Sequence, residues 1–191
     1  MVNGDEDKEG NETLFLELSN PTGNSAIADG QGEGIIGEDD ILSTRINRFQ
    51  SKGVPGTYLF AGEEESVNIR ENFADSFDEE GVAFEVATEP EDDPNLIPLY
   101  RFQSTRTPGT YLFVGEEERE GIRDNFSNDF NEEGLAFYVY GVGSGEGTEF
   151  IRFQNSDRPG TYLFAGPEEA QGIRDNFPSF IEEGPAFEVG A

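Results

Sequence analysis

One stretch of this chain is written three times, and that repetition limits the folds open to it more than any other feature. The copies run from Arg48-Phe49-Gln50 to Val86, from Arg101-Phe102-Gln103 to Val139 and from Arg152-Phe153-Gln154 to Val189. Each reads R-F-Q, a short variable loop, P-G-T-Y-L-F, a small residue and Gly, an acidic run, I-R-[ED]-N-F, and finally E-E-G-x-A-F-x-V. Gly109 follows Gly56 by 53 residues and Gly160 follows Gly109 by 51, so the copies stay in register. No single copy can bury its own apolar face, so the three must share a core. The repeats therefore read as one domain at residues 41–191, with units at about 46–87, 99–140 and 150–191, preceded by a separate segment at residues 1–40.

Within each copy the predicted order is strand, strand, helix, strand. Arg48-Phe49-Gln50 is a short strand. Pro55-Gly56 then sets a turn, because Pro fixes φ at the second turn position and Gly supplies the positive φ of the third. Thr57 to Ala61 returns as a strand, and Gly62 to Phe73 reads as a helix with Glu63, Glu64 and Glu65 in its first turn, where the macrodipole favours negative charge. Pro167 fits the first helical position of the third copy, where its missing N–H costs nothing. Ile69 and Phe73, four apart, predict one apolar stripe on the helix. Alternation in the last strand predicts Val82, Phe84 and Val86 facing inward. A linear stack needs atypical polar end caps, and the third copy has none, so closure is favoured. The expected fold class is mainly β with short helices (α+β). Its three repeats are expected to close with pseudo-threefold symmetry, β-trefoil-like, behind an N-terminal β-strand pair.

Composition narrows function by exclusion. With 41 Asp and Glu against 12 Lys and Arg, the net charge of −29 repels nucleic-acid phosphates and anionic lipid surfaces. No nucleic acid partner is expected, and no apolar run approaches the ~18 residues of a membrane span, so no membrane insertion is expected either. The N-terminus lacks a basic-then-apolar leader. Cysteine and histidine are both absent, which removes disulfides, thiolate metal sites and the usual general base near neutral pH. Paired carboxylates remain at Glu79-Glu80, Glu132-Glu133 and Glu182-Glu183, but neighbours on a strand face opposite ways and cannot share one substrate. No enzymatic activity is expected.

The N-terminal segment alternates Leu14, Leu16 and Leu18 against Thr13, Phe15 and Glu17, the period of a half-buried strand, and Gly32 to Gly37 can pair with it. Asp5-x-Asp7-x-Glu9-Gly10 imitates the start of an EF-hand loop, but Leu16 stands where the closing Glu belongs. The stretches Val2-Asn3-Gly4-Asp5, Glu9-Gly10-Asn11-Glu12-Thr13, Leu18-Ser19-Asn20-Pro21-Thr22, Ile27-Ala28-Asp29-Gly30-Gln31-Gly32 and Asp39-Asp40 closely resemble the second half of a Calx-beta domain. That resemblance implies an immunoglobulin-like sandwich of extracellular or surface proteins. It also implies calcium bound between an acidic strand connection and an Asp run, here Asp5, Asp7, Glu9, Glu38, Asp39 and Asp40. Because the first half of the sandwich is not in the sequence, the calcium site it implies is a weak one.

Tyr100-Arg101-Phe102, Gly109-Thr110-Tyr111-Leu112-Phe113 and Glu133-Gly134-Leu135-Ala136-Phe137-Tyr138-Val139 carry a second resemblance. It is to an uncharacterised bacterial repeat domain of secreted and surface proteins that reads Y-R-F-Y-N, G-x-H-F-Y-T and E-G-I-A-F-Y-V. Tyr58, Tyr111 and Tyr162 stand where that family has His. The resemblance implies an extracellular or cell-surface location.

Two sets of repeated residues are candidates for function. Arg48, Arg101 and Arg152 in the first strand and Arg70, Arg123 and Arg174 in the helix are expected to be structural, paired with Glu80, Glu133 and Glu183 or their neighbours. The loop after R-F-Q keeps its frame while its content varies and offers one basic residue per copy: Lys52, Arg106 and Arg158. Together with Gln50, Gln103 and Gln154 and with Tyr58, Tyr111 and Tyr162 it supplies the mixture of donors and aromatics that sugars need. The leading expectation is a non-catalytic extracellular module binding a glycan or an extracellular protein through repeated loops. The alternative is a purely structural or adhesion spacer of a calcium-associated surface protein.

Overall fold

The computed structural model describes residues 12–23, 27–36, 43–90 and 93–190. The chain divides into two compact units, Met1–Leu42 and Ser43–Ala191. In the first, β1 (Glu12–Glu17) and β2 (Gln31–Ile36) pair antiparallel, with Leu14 opposite Gly34 and Leu16 opposite Gly32. Leu14, Phe15 and Leu16 of β1, and Leu18 just after it, are exposed. The six residues of the expected calcium site lie outside the described residues.

In the second unit the repeats give β3 (Ser43–Ser51), β4 (Tyr58–Ala61), α1 (Glu63–Asn72) and β5 (Phe77–Ala87). They continue with β6 (Leu96–Ser104), β7 (Tyr111–Val114), α2 (Glu116–Asn125) and β8 (Phe130–Tyr140), then β9 (Thr148–Asn155), β10 (Tyr162–Ala165), α3 (Pro167–Asn176) and β11 (Phe180–Val189). Gly56, Gly109 and Gly160 adopt φ of 81°, 82° and 85° after their prolines, the positive value this turn demands. The Thr that follows braces each turn, Thr57 Oγ1 donating to the Val54 carbonyl at 2.7 Å.

The trefoil-like closure is not what forms. The strands make one antiparallel sheet of nine, accompanied by three helices. Each returning strand is only four residues long and runs straight into the glycine before a helix, so no fourth strand exists to complete a trefoil unit. The first strand of each repeat instead pairs on both edges, β3 with β4 and with β5, β6 with β7 and β8, and β9 with β10 and β11. The last strands join the repeats through single residue pairs: Ala87 opposite Tyr138, Glu188 opposite Tyr140, and Glu85 opposite Gly190.

Two register shifts between β3 and β5, at Ile46/Asn47 and Arg48/Phe49, break the simple alternation. Val82 is therefore 57% exposed rather than inward, while Phe84 and Val86 are buried. Gly81, Gly134 and Gly184, at φ of 99°, 101° and 114°, sit in this irregular stretch, which explains the glycine of every E-E-G. The helix stripe is also shorter than expected. Ile69, Ile122 and Ile173 are buried, but each helix ends one residue before Phe73, Phe126 or Phe177, and these rings are half-exposed.

The core is phenylalanine. Phe84 lies 5.0 Å from Phe60, 5.9 Å from Phe137, 5.1 Å from Phe150 and 6.0 Å from Phe187 between ring centroids. Phe60, Phe113 and Phe164, one per repeat, meet within 5.6–6.4 Å. Tilted and edge-on contacts dominate, the geometries the ring quadrupole prefers.

The connector at residues 141–147 wraps a buried carboxylate. Glu188 accepts from the Ser144 hydroxyl at 2.8 Å and from the Gly143 and Gly145 N–H groups at 2.7 and 2.9 Å. These donors hold its pKa below the ordinary 4.5. Stability from a depressed carboxylate is present above its unfolded pKa and is lost as pH falls through the folded one. Glu188→Gln is therefore expected to melt lower than the parent at pH 7, with the gap narrowing below pH ~4.5. Repulsion from the other acids acts on both proteins alike. A gap that stays constant from pH 7 to pH 3 in thermal melts would show that charge on Glu188 is not what the connector holds.

Candidate binding site at the repeat junctions

Each first-strand arginine is held by two carboxylates, one from its own repeat and one from another. Arg48 pairs with Glu80 at 2.7 Å and with Glu169 of the third repeat at 2.6 Å. Arg101 pairs with Glu133 at 2.6 Å and with Glu65 of the first repeat at 2.7 Å. Arg152 pairs with Glu183 at 2.7 Å and with Glu118 of the second repeat at 2.8 Å. Burial alone would lower these guanidinium pKa values, but the carboxylates outweigh it and leave all three raised. Each guanidinium also lies over a tyrosine ring, at 4.4 Å for Tyr58, 5.5 Å for Tyr111 and 5.6 Å for Tyr162. Gln50, Gln103 and Gln154 donate to those tyrosine hydroxyls at 3.4, 3.1 and 3.1 Å. Burial raises the three tyrosine pKa values, so the hydroxyls stay protonated and can donate.

The helix arginines take the other glutamate of each E-E pair in two-pronged fashion: Arg70 with Glu79, Arg123 with Glu132 and Arg174 with Glu182, at 2.6–2.9 Å. Of the loop cations, Lys52 is tied to the Ala74 carbonyl at 2.7 Å and to Asp78 at 3.1 Å. Arg106 is tied to Asp129 at 2.6 Å. Arg158 is exposed, and its side chain has no partner among the described residues. The tyrosines and glutamines are thus brought together, whereas Lys52 and Arg106 are engaged within their own repeats.

At the junction between the third and first repeats the surface opens into a groove of about 630 Å3. Gln50 and Tyr58 line it from the first repeat, and Asn155, Ile173, Phe177 and Phe180 from the third. A second concavity of about 620 Å3, walled by Arg48, Glu80, Glu168, Phe150 and Val189, shares Glu169 with it. In that second one Arg48, Glu80 and Glu169 already satisfy one another.

A family described as a domain of unknown function (DUF5648) matches residues 56–189. The chain belongs to the DUF5648 family. The DUF5648 match takes in the second and third copies whole and the first from Gly56 onward. Neither a curated protein nor a solved structure matches the chain. Within this DUF5648 unit, Asn155 falls in the variable loop after R-F-Q and Phe177 in the helix stripe, and neither was among the expected ligand-binding residues. The signal for Asn155 is a departure from the other copies, since Ser51 and Ser104 stand at its position. Phe177 is the counterpart of Phe73, four residues after Ile173, where the spacing predicts an apolar stripe.

Proposed function

We propose that the repeat unit is a non-catalytic binding module of an extracellular or surface protein, recognising a glycan at its repeat junctions. The observation that carries this is the groove between the third and first repeats, where amide, phenol and exposed aromatic groups converge in a volume typical of ligand sites. The carboxylate pairs that a hydrolase would use are all engaged by arginines, which favours binding over catalysis. On a glycan array the full chain is expected to bind uncharged glycans, and the triple variant Phe73→Ala, Phe126→Ala, Phe177→Ala to lose that binding while still melting in one cooperative transition, at a lower temperature than the parent because these rings are half-buried. A second reading, a structural spacer, is favoured by the way the repeated arginines and carboxylates satisfy one another. Absence of any glycan binding would leave that reading standing. No helix among the described residues is long and apolar enough to cross a membrane.

A further inference from the structure

The three junctions are built from the same text, yet the third copy departs from the other two at the groove. In the first copy the Ser51 hydroxyl accepts from the Val54 N–H at 3.3 Å, and in the second the Ser104 hydroxyl accepts from Thr107 N–H at 3.2 Å. Each serine thus braces its loop. Asn155 does the same work with its carbonyl oxygen, Oδ1 accepting from the Asp157 N–H at 2.9 Å. Its Nδ2 group is left over. Asn155 is only 9% exposed, and Nδ2 has no acceptor among the described residues. A buried donor without a partner weakens the fold, so an amide held this way is spent to meet something.

The surroundings of the groove also differ between copies. Gly172, like Gly121 of the second copy, stands where the first copy has Asn68, whose side chain takes a hydrogen bond from Asn72 at 2.9 Å, so this opening is shared with the second copy while the features that follow belong to the third. The connector Phe177-Pro178-Ser179-Phe180 is one residue shorter than Phe73-Ala74-Asp75-Ser76-Phe77. Lys52 and Arg106 strap the loop to the connector in the first two copies; in the third only Ser156 does so, its hydroxyl donating to the Ser179 carbonyl at 2.9 Å, and the Arg158 side chain has no partner among the described residues. Opposite Asn155, Gln50 donates through Nε2 to Tyr58, which leaves the Gln50 Oε1 as an acceptor and the Tyr58 O–H proton as a donor. Phe177, 54% exposed, presents an apolar ring beside them.

We infer that this groove alone, of the three junctions, is a receptor for one uncharged pyranose-based saccharide, an inference that rests on the binding-module reading above. Sugar hydroxyls donate and accept at once, which suits a site where a free donor, a free acceptor and a phenol converge, and the C–H face of a pyranose suits Phe177. An acidic sugar is disfavoured. Among the described residues that line the groove, Glu169 is the one carboxylate and already has its cation in Arg48, no unpaired cation stands beside it, and the chain carries a net charge of −29.

The test uses the full chain with cellobiose, lactose, maltose, mannobiose, chitobiose and digalacturonic acid as probes, read by saturation-transfer NMR and calorimetry. At least one neutral disaccharide is expected to bind at one site per chain, and digalacturonic acid not to bind. Asn155→Ser and Gly172→Asn, each importing a residue found at that position in the first copy, are expected to weaken binding at least about tenfold while melting near the parent. Binding at three sites per chain, binding untouched by both variants, or preference for digalacturonic acid overturns the single-groove inference and leaves the binding-module reading intact. Binding of none of the probes, together with a blank glycan array, overturns both.

Discussion

Phe84→Ala is expected to destabilise the repeat unit by about 3–5 kcal/mol, the usual cost of emptying a core phenylalanine site. The position is chosen by its neighbours. Phe84 touches Phe60 in its own repeat, Phe137 in the second, and Phe150 and Phe187 in the third, so its loss opens a cavity that all three repeats border. Collapse into that space is hindered because the surrounding rings are pinned on separate strands. For a unit of this size the melting temperature should fall by about 10 °C or more. Val82→Ala, two residues away but facing solvent, should move it by no more than about 2 °C. Equal losses from the two variants in calorimetry would mean that the strand sits in the simple alternating register and that the bulges are absent.

Arg101→Met carries the next largest effect, about 2–3 kcal/mol. Its side chain is only 19% exposed and neutralises both Glu65 and Glu133, so removal leaves two carboxylates without a cation beside the core. Arg123→Met looks equivalent in sequence and is not. That side chain is 48% exposed, and an ion pair in such a setting contributes little once solvent screens it. Its melting temperature should stay within about 2 °C of the parent. Urea titration of both variants separates the cases, and a large loss from Arg123→Met or none from Arg101→Met would show that exposure has been misjudged as the controlling factor.

What is legible in the sequence is what local chemistry decides. Pro55-Gly56 announces its turn because the proline ring fixes φ and glycine, lacking a Cβ, takes the positive φ that follows without strain, and Pro167 announces a helix start because its fixed φ suits the first helical position. Strand pairing is less legible. The text from Phe77 to Ala87 alternates as if Val82 faced inward, and only the pairing with β3 reveals the two shifts that turn it out. The trefoil-like expectation failed on the same ground, since nothing local says that the first strand of a repeat will pair on both edges. At the groove, repetition drew attention to Arg, Gln and Tyr, which every copy shares. Asn155 lies in the loop whose varying content marks it as a candidate, but an unpaired amide is visible only once its surroundings are known.

The inter-repeat ion pairs also set the order in which the unit can be assembled. Arg101 and Arg152 each reach back 36 and 34 residues to the helix before them, but Arg48 reaches forward 121 residues to Glu169. A nascent chain that has exposed only its first repeat therefore holds an arginine whose cross-repeat partner has not yet been made. Linear repeat arrays can begin folding at one end and extend. Here the first repeat waits on the last, and closing so long a loop is a slow, high-contact-order step that ties completion of folding to the emergence of α3.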